Sequence, residues 1–93
     1  MKKNLSGKPV KKKELSTRKL GKELVIVDKR NNQVHSLNET AAMIWQLCDG
    51  KMSKGGLVAK TQGTYQVDQE TAESDVEKVL ISFLEKDLIE LSA

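Results

Sequence analysis

The chain of 93 residues holds one tryptophan, one tyrosine, one phenylalanine, one cysteine, one histidine and one proline. With so few aromatics the core must be largely aliphatic, and no row of rings is available on which nucleobases could stack. The lone Cys48 excludes an intramolecular disulfide and a zinc site of several thiolates. One histidine and one cysteine leave no plausible protein-only zinc site except across an oligomer. No apolar run approaches the roughly 18 residues that a membrane span needs. The start "MKKNLSGK" carries charge with no apolar segment behind it, so it does not read as a secretory signal. "KGG" falls far short of a phosphate-binding glycine loop. The expectation is a cytoplasmic protein without cofactor, metal or membrane partner.

The charge that is present is polarised. Residues 1–37 hold 11 Lys and Arg against 3 Asp and Glu, whereas residues 38–93 hold 5 against 10. Balances of +8 and −5 make up the net +3. A basic front invites a nucleic-acid reading. It equally suits a solvated tail followed by a lysine-protected strand.

Residues 1–8 read as a flexible basic tail and 9–93 as a single domain, which is all that this length supports. Val10–Ser16 is a lysine-rich strand candidate. "ELVIVD", Glu23–Asp28, is the strongest strand signal, β-branched and bounded by Gly21 and "KRNN". Gln33–Leu37 follows across a turn in which Asn31 and Asn32 tolerate positive φ. These make a three-stranded antiparallel meander.

At Asn38 the hydrophobic period switches. Ala41, Ile44, Trp45 and Cys48 follow the i, i+3, i+4, i+7 spacing of a helix that Asn38 can cap, with Ser36 and Glu39 offering a competing box. Gly50 suits its end. Ser53 caps a second helix to about Thr61, weakened by Gly55 and Gly56. Asp68 caps a third to about Lys86, with the stripe Ala72, Val76, Val79, Leu80, Phe83 and Leu84. "LIEL" closes the chain as a short extended or helical tail. The class is therefore α+β, an N-terminal three-stranded antiparallel sheet followed by three helices, winged-helix-like with its sheet moved to the front.

Enzyme chemistry finds little support. Cys48 shares its helical face with Ile44 and Trp45, where cysteine acts as a small hydrophobe. His35 lies on a strand with no orienting carboxylate implied, and no pair of acids recommends itself for acid-base work. No catalytic residue is assigned. A winged-helix DNA-binding regulator is the alternative, but its recognition helix would be the acidic third one, which a duplex repels. A peptide-binding module fits better. Lys11, Lys12 and Lys13 guard one edge of the meander, while "QVHSL" on the other carries no formal charge with His35 neutral. Either the chain's own helix covers that edge, or an extended peptide adds to it along Val34, His35, Ser36 and Leu37.

On the long helix, Ile81 projects outside the core arc and either packs under "LIEL" or lines such a groove. Asp75, Ser82 and Lys86 lie on the opposite flank as polar contact candidates.

"LNETAAMIWQLCDGK" and "YQVDQETAESDVEKVLISFLEKDLIEL" resemble the PqqD-like proteins, also called RiPP recognition elements, over about residues 10–91. The Leu-Asn-x-Thr-Ala junction, the Ile-Trp-x-Leu-Cys-Asp-Gly helix end and the Asp-Val of the long helix stand in the family's order. Gly55, Gly56 and Asp87 depart from it. The resemblance implies a peptide chaperone that binds the leader of a ribosomally made precursor peptide. It would present that precursor to a maturation enzyme, a radical SAM protein or a lasso-type leader peptidase. It also implies that the leader adds beside the third strand and lies against the third helix, where Asp75, Lys78, Ile81 and Ser82 are candidate contacts. No specific nucleic acid or membrane is expected as partner, and the protein would be a monomer or an edge-paired dimer.

Overall fold

In the computed structural model, which describes residues 5–92, five strands and three helices follow the order β1 (Lys8–Lys11), β2 (Leu15–Leu20), β3 (Glu23–Asp28), β4 (Gln33–Leu37), α1 (Glu39–Gln46), α2 (Lys54–Tyr65), α3 (Gln69–Glu85) and β5 (Ile89–Ser92). The α+β class stands. The sheet layout differs from the expected one. The meander is β2-β3-β4, and a separate antiparallel pair joins β1 to β5, the two ends of the described chain.

The strand expected over Val10–Ser16 is two strands in two sheets. Glu14 takes a left-handed φ of 67° and breaks it. Before the break, Pro9 faces Leu91, the Lys11 N–H donates to the Cys48 carbonyl and the Lys12 N–H to that of Leu88. After it, "LSTRKL" pairs with β3 through a two-residue turn in which Gly21 has φ 63°. Lys11–Lys13 therefore do not guard the meander. Its basic edge strand carries Arg18 and Lys19 instead. The "LIEL" tail is the strand β5. Strand β1 begins at Lys8, inside the segment read as a tail, and residues 1–4 of that segment lie outside the described residues.

The helix starts follow capping chemistry. The Asn38 side chain accepts from the Ala41 N–H at 2.8 Å and Asp68 from the Thr71 N–H at 2.7 Å, while Ser53 caps α2. Ser36 does not compete, since its hydroxyl donates to Glu23 at 3.2 Å. Helix α1 ends at Gln46. Gly50, at φ 83°, lies beyond it, where its N–H donates to the Pro9 carbonyl and ties β1 to the end of α1. Helix α2 runs to Tyr65, one turn further than expected. Gly56 has a packing reason: a Cβ there would lie 2.5 Å from Met52 Cγ.

Asp87 replaces the glycine that a helix end prefers. It takes φ 59° while the Leu88 N–H donates to Phe83 and its own N–H to Leu84, a Schellman pattern. Its carboxylate pairs with Lys12 at 3.3 Å and Arg30 at 3.6 Å, and Arg30 donates to its carbonyl at 2.8 Å.

One face of the meander lies on the core through Leu24, Ile26 and Leu37, and α1, α2 and α3 supply Ile44, Trp45, Leu57, Val76, Leu80 and Phe83. Trp45 and Phe83 meet edge to face at 5.4 Å, and the Lys11 ammonium lies 5.5 Å from the indole centroid. Trp45 is 2% exposed, so Trp45→Ala empties a filled site. A loss of about 3–5 kcal/mol is expected from denaturant unfolding. An unchanged midpoint would mean that the indole is not structural.

Asp28, buried at the end of β3, accepts from Arg30 Nε at 3.1 Å and from the Asn31 amide at 2.9 Å. Hydrogen bonds from the side chains of Arg30 and then Asn31 hold its carboxyl at about 2, below the ordinary 3.8. A depressed folded value stabilises the fold above the unfolded value and is lost as pH falls through the folded one. Asp28→Asn should therefore melt below the parent at neutral pH, with the gap closing between pH 3.8 and about 2. A gap that stayed constant across that window in a melting series would place its origin outside the carboxylate charge.

Candidate functional site

Backbone bonding decides which groups at the edge of the meander are spare. The two-residue turn makes Leu20 and Glu23 a hydrogen-bonded pair. Bonding direction alternates along a strand, so Glu23, Val25 and Val27 turn their N–H and C=O groups to β2, and Leu24, Ile26 and Asp28 turn theirs to β4. The partners of the second set are Leu37, His35 and Gln33. That leaves Val34 and Ser36 pointing away from the sheet, and no described strand pairs beyond β4.

Side chains alternate by the same rule. Leu37 and His35 share the inner face with Leu24 and Ile26, whereas Val34 and Ser36 share the outer face with Val27 and Val25. Leu37 is buried, and Val34 is 66% exposed. His35 is half-buried, and its Nε2 is enclosed without a hydrogen-bond partner among the described residues.

Beside this edge, between the β4–α1 junction and α3, runs a groove of about 220 Å³. Leu37, Ala41, Val79 and Phe83 make its apolar floor, and Ser36, Asn38, Lys78, Ser82 and Lys86 make its polar rim. Two further hollows, of about 260 and 350 Å³, continue it along α3. One holds Asn38, Thr40, Asp75, Lys78 and Val79, the other Lys78, Ile81, Ser82, Glu85 and Lys86. Lys78 borders all three. Larger hollows exist, of about 270 Å³ around Lys22, Met43 and Tyr65 and about 430 Å³ around Lys11–Glu14 and Arg30. Neither is lined by a residue of β4. The groove is preferred because apolar floor and spare backbone groups adjoin there.

The residues expected from sequence therefore divide. Ser36, Leu37, Lys78 and Ser82 come together in the groove, and Asp75 stands in its extension toward the start of α3. Ile81 borders the outer extension and is not among the apolar side chains packed on the core. Val34 offers backbone rather than side chain to the groove, and His35 faces inward beneath the edge. The helical stripe puts Val79 and Phe83 in the core, and nothing in the sequence points to Asn38 or Ala41 as site residues, yet all four line the groove. Val79 could have been suspected, since it flanks the core stripe one residue from Lys78.

Among the described residues no three His, Cys, Asp or Glu side chains gather to hold a metal, and no helix is long and apolar enough to cross a membrane. Cys48 Sγ lies 3.2 Å from the Ile44 carbonyl, and burial pushes its thiol up to about 12. The thiol therefore remains protonated at any ordinary pH.

The family sequence model described as coenzyme PQQ synthesis protein D (PqqD) matches residues 23–89. Two solved structures share the fold at a TM-score of 0.80. One is TbiB1 in complex with the TbiA(beta) leader peptide, 21% identical, covering 90% of this chain and 98% of that one. The other is a lasso peptide synthetase B1 complexed with the leader peptide, 24% identical, covering 90% of this chain and 99% of that one. No curated protein matches.

The burial of Cys48 at the end of α1 can be checked directly. At pH 8 the folded protein should resist iodoacetamide and react fully once denatured, as followed by intact mass. Rapid alkylation of the folded protein would contradict its burial.

Proposed function

Because the chain belongs to the PqqD family, we propose that it is a non-catalytic peptide chaperone that binds the leader of a ribosomally synthesised precursor by strand addition to β4. It then presents the precursor to a maturation enzyme, either a radical SAM protein or a lasso-type leader peptidase. The observation that carries this reading is the spare bonding set of Val34 and Ser36 beside a groove floored by Leu37, Ala41 and Phe83. An extended peptide would exchange backbone bonds with that set and lower every second side chain toward α3. Two proteins of the same fold have been solved with leader peptides, which supports the reading. Such a chaperone works in the cytoplasm, where precursors leave the ribosome. The winged-helix DNA-binding alternative lacks comparable support, since α3 sets five carboxylates against one lysine.

Proline separates docking from folding. Ser36 points its N–H outward, so Ser36→Pro should melt close to the parent and weaken a leader by the 0.5–1.5 kcal/mol of about one hydrogen bond, roughly two- to tenfold in Kd. His35 bonds to β3, so His35→Pro should damage the sheet itself. Titration calorimetry against the leader of a precursor encoded beside this gene, run with thermal melts, reads both effects. No heat with the parent would overturn leader binding, and equal damage from both prolines would overturn the open edge.

A further inference from the structure

The groove has a charge pattern that specifies its occupant. Lys78 and Lys86 are both exposed on its rim, and neither has a carboxylate within ion-pair distance among the described residues. Glu77, the acid next to Lys78 in sequence, is held by Lys54 at 3.2 Å. Asp75, three residues before Lys78 on α3, lies in the extension toward the helix start and makes no ion pair with it. Two unneutralised ammonium groups thus flank an apolar floor, and each extension of the groove carries one carboxylate, Asp75 toward the start of α3 and Glu85 in the outer one.

The spacing matches an extended chain. Eight helical residues separate the lysines by about 12 Å along the axis. A strand advances about 3.3 Å per residue, so four residues span about 13 Å and, being an even number, return to the same face. The residue midway between them also faces the groove, above Leu37, Ala41 and Phe83.

We propose that the groove selects a peptide with two acidic residues at i and i+4, meeting Lys78 and Lys86, and an apolar residue at i+2 seated on the floor. The proposal rests on the peptide-binding reading and adds which peptide is taken. The apolar residue supplies most of the affinity, because exposed ion pairs are individually weak, and the charges supply selection among leaders.

A displayed library of random twelve-residue peptides, selected on the immobilised protein, tests this. Enriched sequences from the parent should carry Asp or Glu at i and i+4 around an apolar i+2. The double variant Lys78→Glu, Lys86→Glu should exchange those acids for Lys or Arg, and it should weaken a parent-selected peptide about tenfold. If that variant fails to melt cooperatively, Lys78→Gln with Lys86→Gln replaces it and should abolish the acidic preference. Groove-bound peptides are identified by protection of the Val34 and Ser36 amides from hydrogen exchange. Such peptides without an acidic preference, or with one that the variants leave unchanged, would overturn the charge pattern and leave peptide binding standing. A library that yields no peptide protecting those amides would overturn both.

Discussion

Trp45 meets Phe83 edge to face at 5.4 Å, and this contact joins three parts of the molecule. The indole belongs to α1, the phenyl ring to α3, and the Lys11 ammonium of β1 lies over the indole. Phe83 is 1% exposed, yet it also lines the floor of the groove. Groove and core therefore share an aromatic wall. Changes in how α1 packs on α3 must alter the width of the groove, because interiors at crystal-like density transmit displacement rather than absorb it.

A second, polar device acts just beyond it, past the C-terminal end of the same helix. Arg30 bridges the buried Asp28 carboxylate to the carbonyl of Asp87, and Lys12 pairs with Asp87 and with Glu90 at 3.8 Å. The β3–β4 turn, the end of α3 and the β1–β2 connection are thereby held together by side chains. Asp87 accepts a left-handed backbone that glycine would adopt more readily, and its ion pairs offset that cost. The aromatic contact and this latch together hold the C-terminal part of α3 beside β4 without covering the strand's outer edge.

Charge is arranged to the same end. The basic edge of the meander is β2, with Arg18 and Lys19, and unpaired backbone on that side is discouraged from meeting another basic strand. The other edge, β4, carries no formal charge with His35 neutral. Across the groove stand Lys78, the one lysine of an otherwise acidic α3, and Lys86, which caps its C-terminus. A helix of that overall charge is poorly suited to phosphate, but these two lysines are well placed for carboxylates on a neighbouring strand.

The α+β class, the strand "ELVIVD", the helix caps at Asn38, Ser53 and Asp68 and the buried stripes of α1 and α3 were all legible in the sequence. Each depends on contacts within a few residues: a side chain bonding the N–H three positions on, or a period of 2 or 3.6. The PqqD likeness was legible because its motif residues lie at these same local junctions. The division of Val10–Ser16 between two sheets was not legible. It depends on Glu14 taking a positive φ and on β5 returning some eighty residues later to meet β1. Nor could sequence say which of His35 and Ser36 faces outward, since alternation gives two parities and only the turn at Gly21 and the register of three strands select one. Likewise Val79 and Phe83 read as core, and only the offset of α3 from β4 turns part of each toward a groove. Local bonding is written in neighbouring residues. Register and offset are set by contacts between distant ones, and those were decided by the tertiary structure.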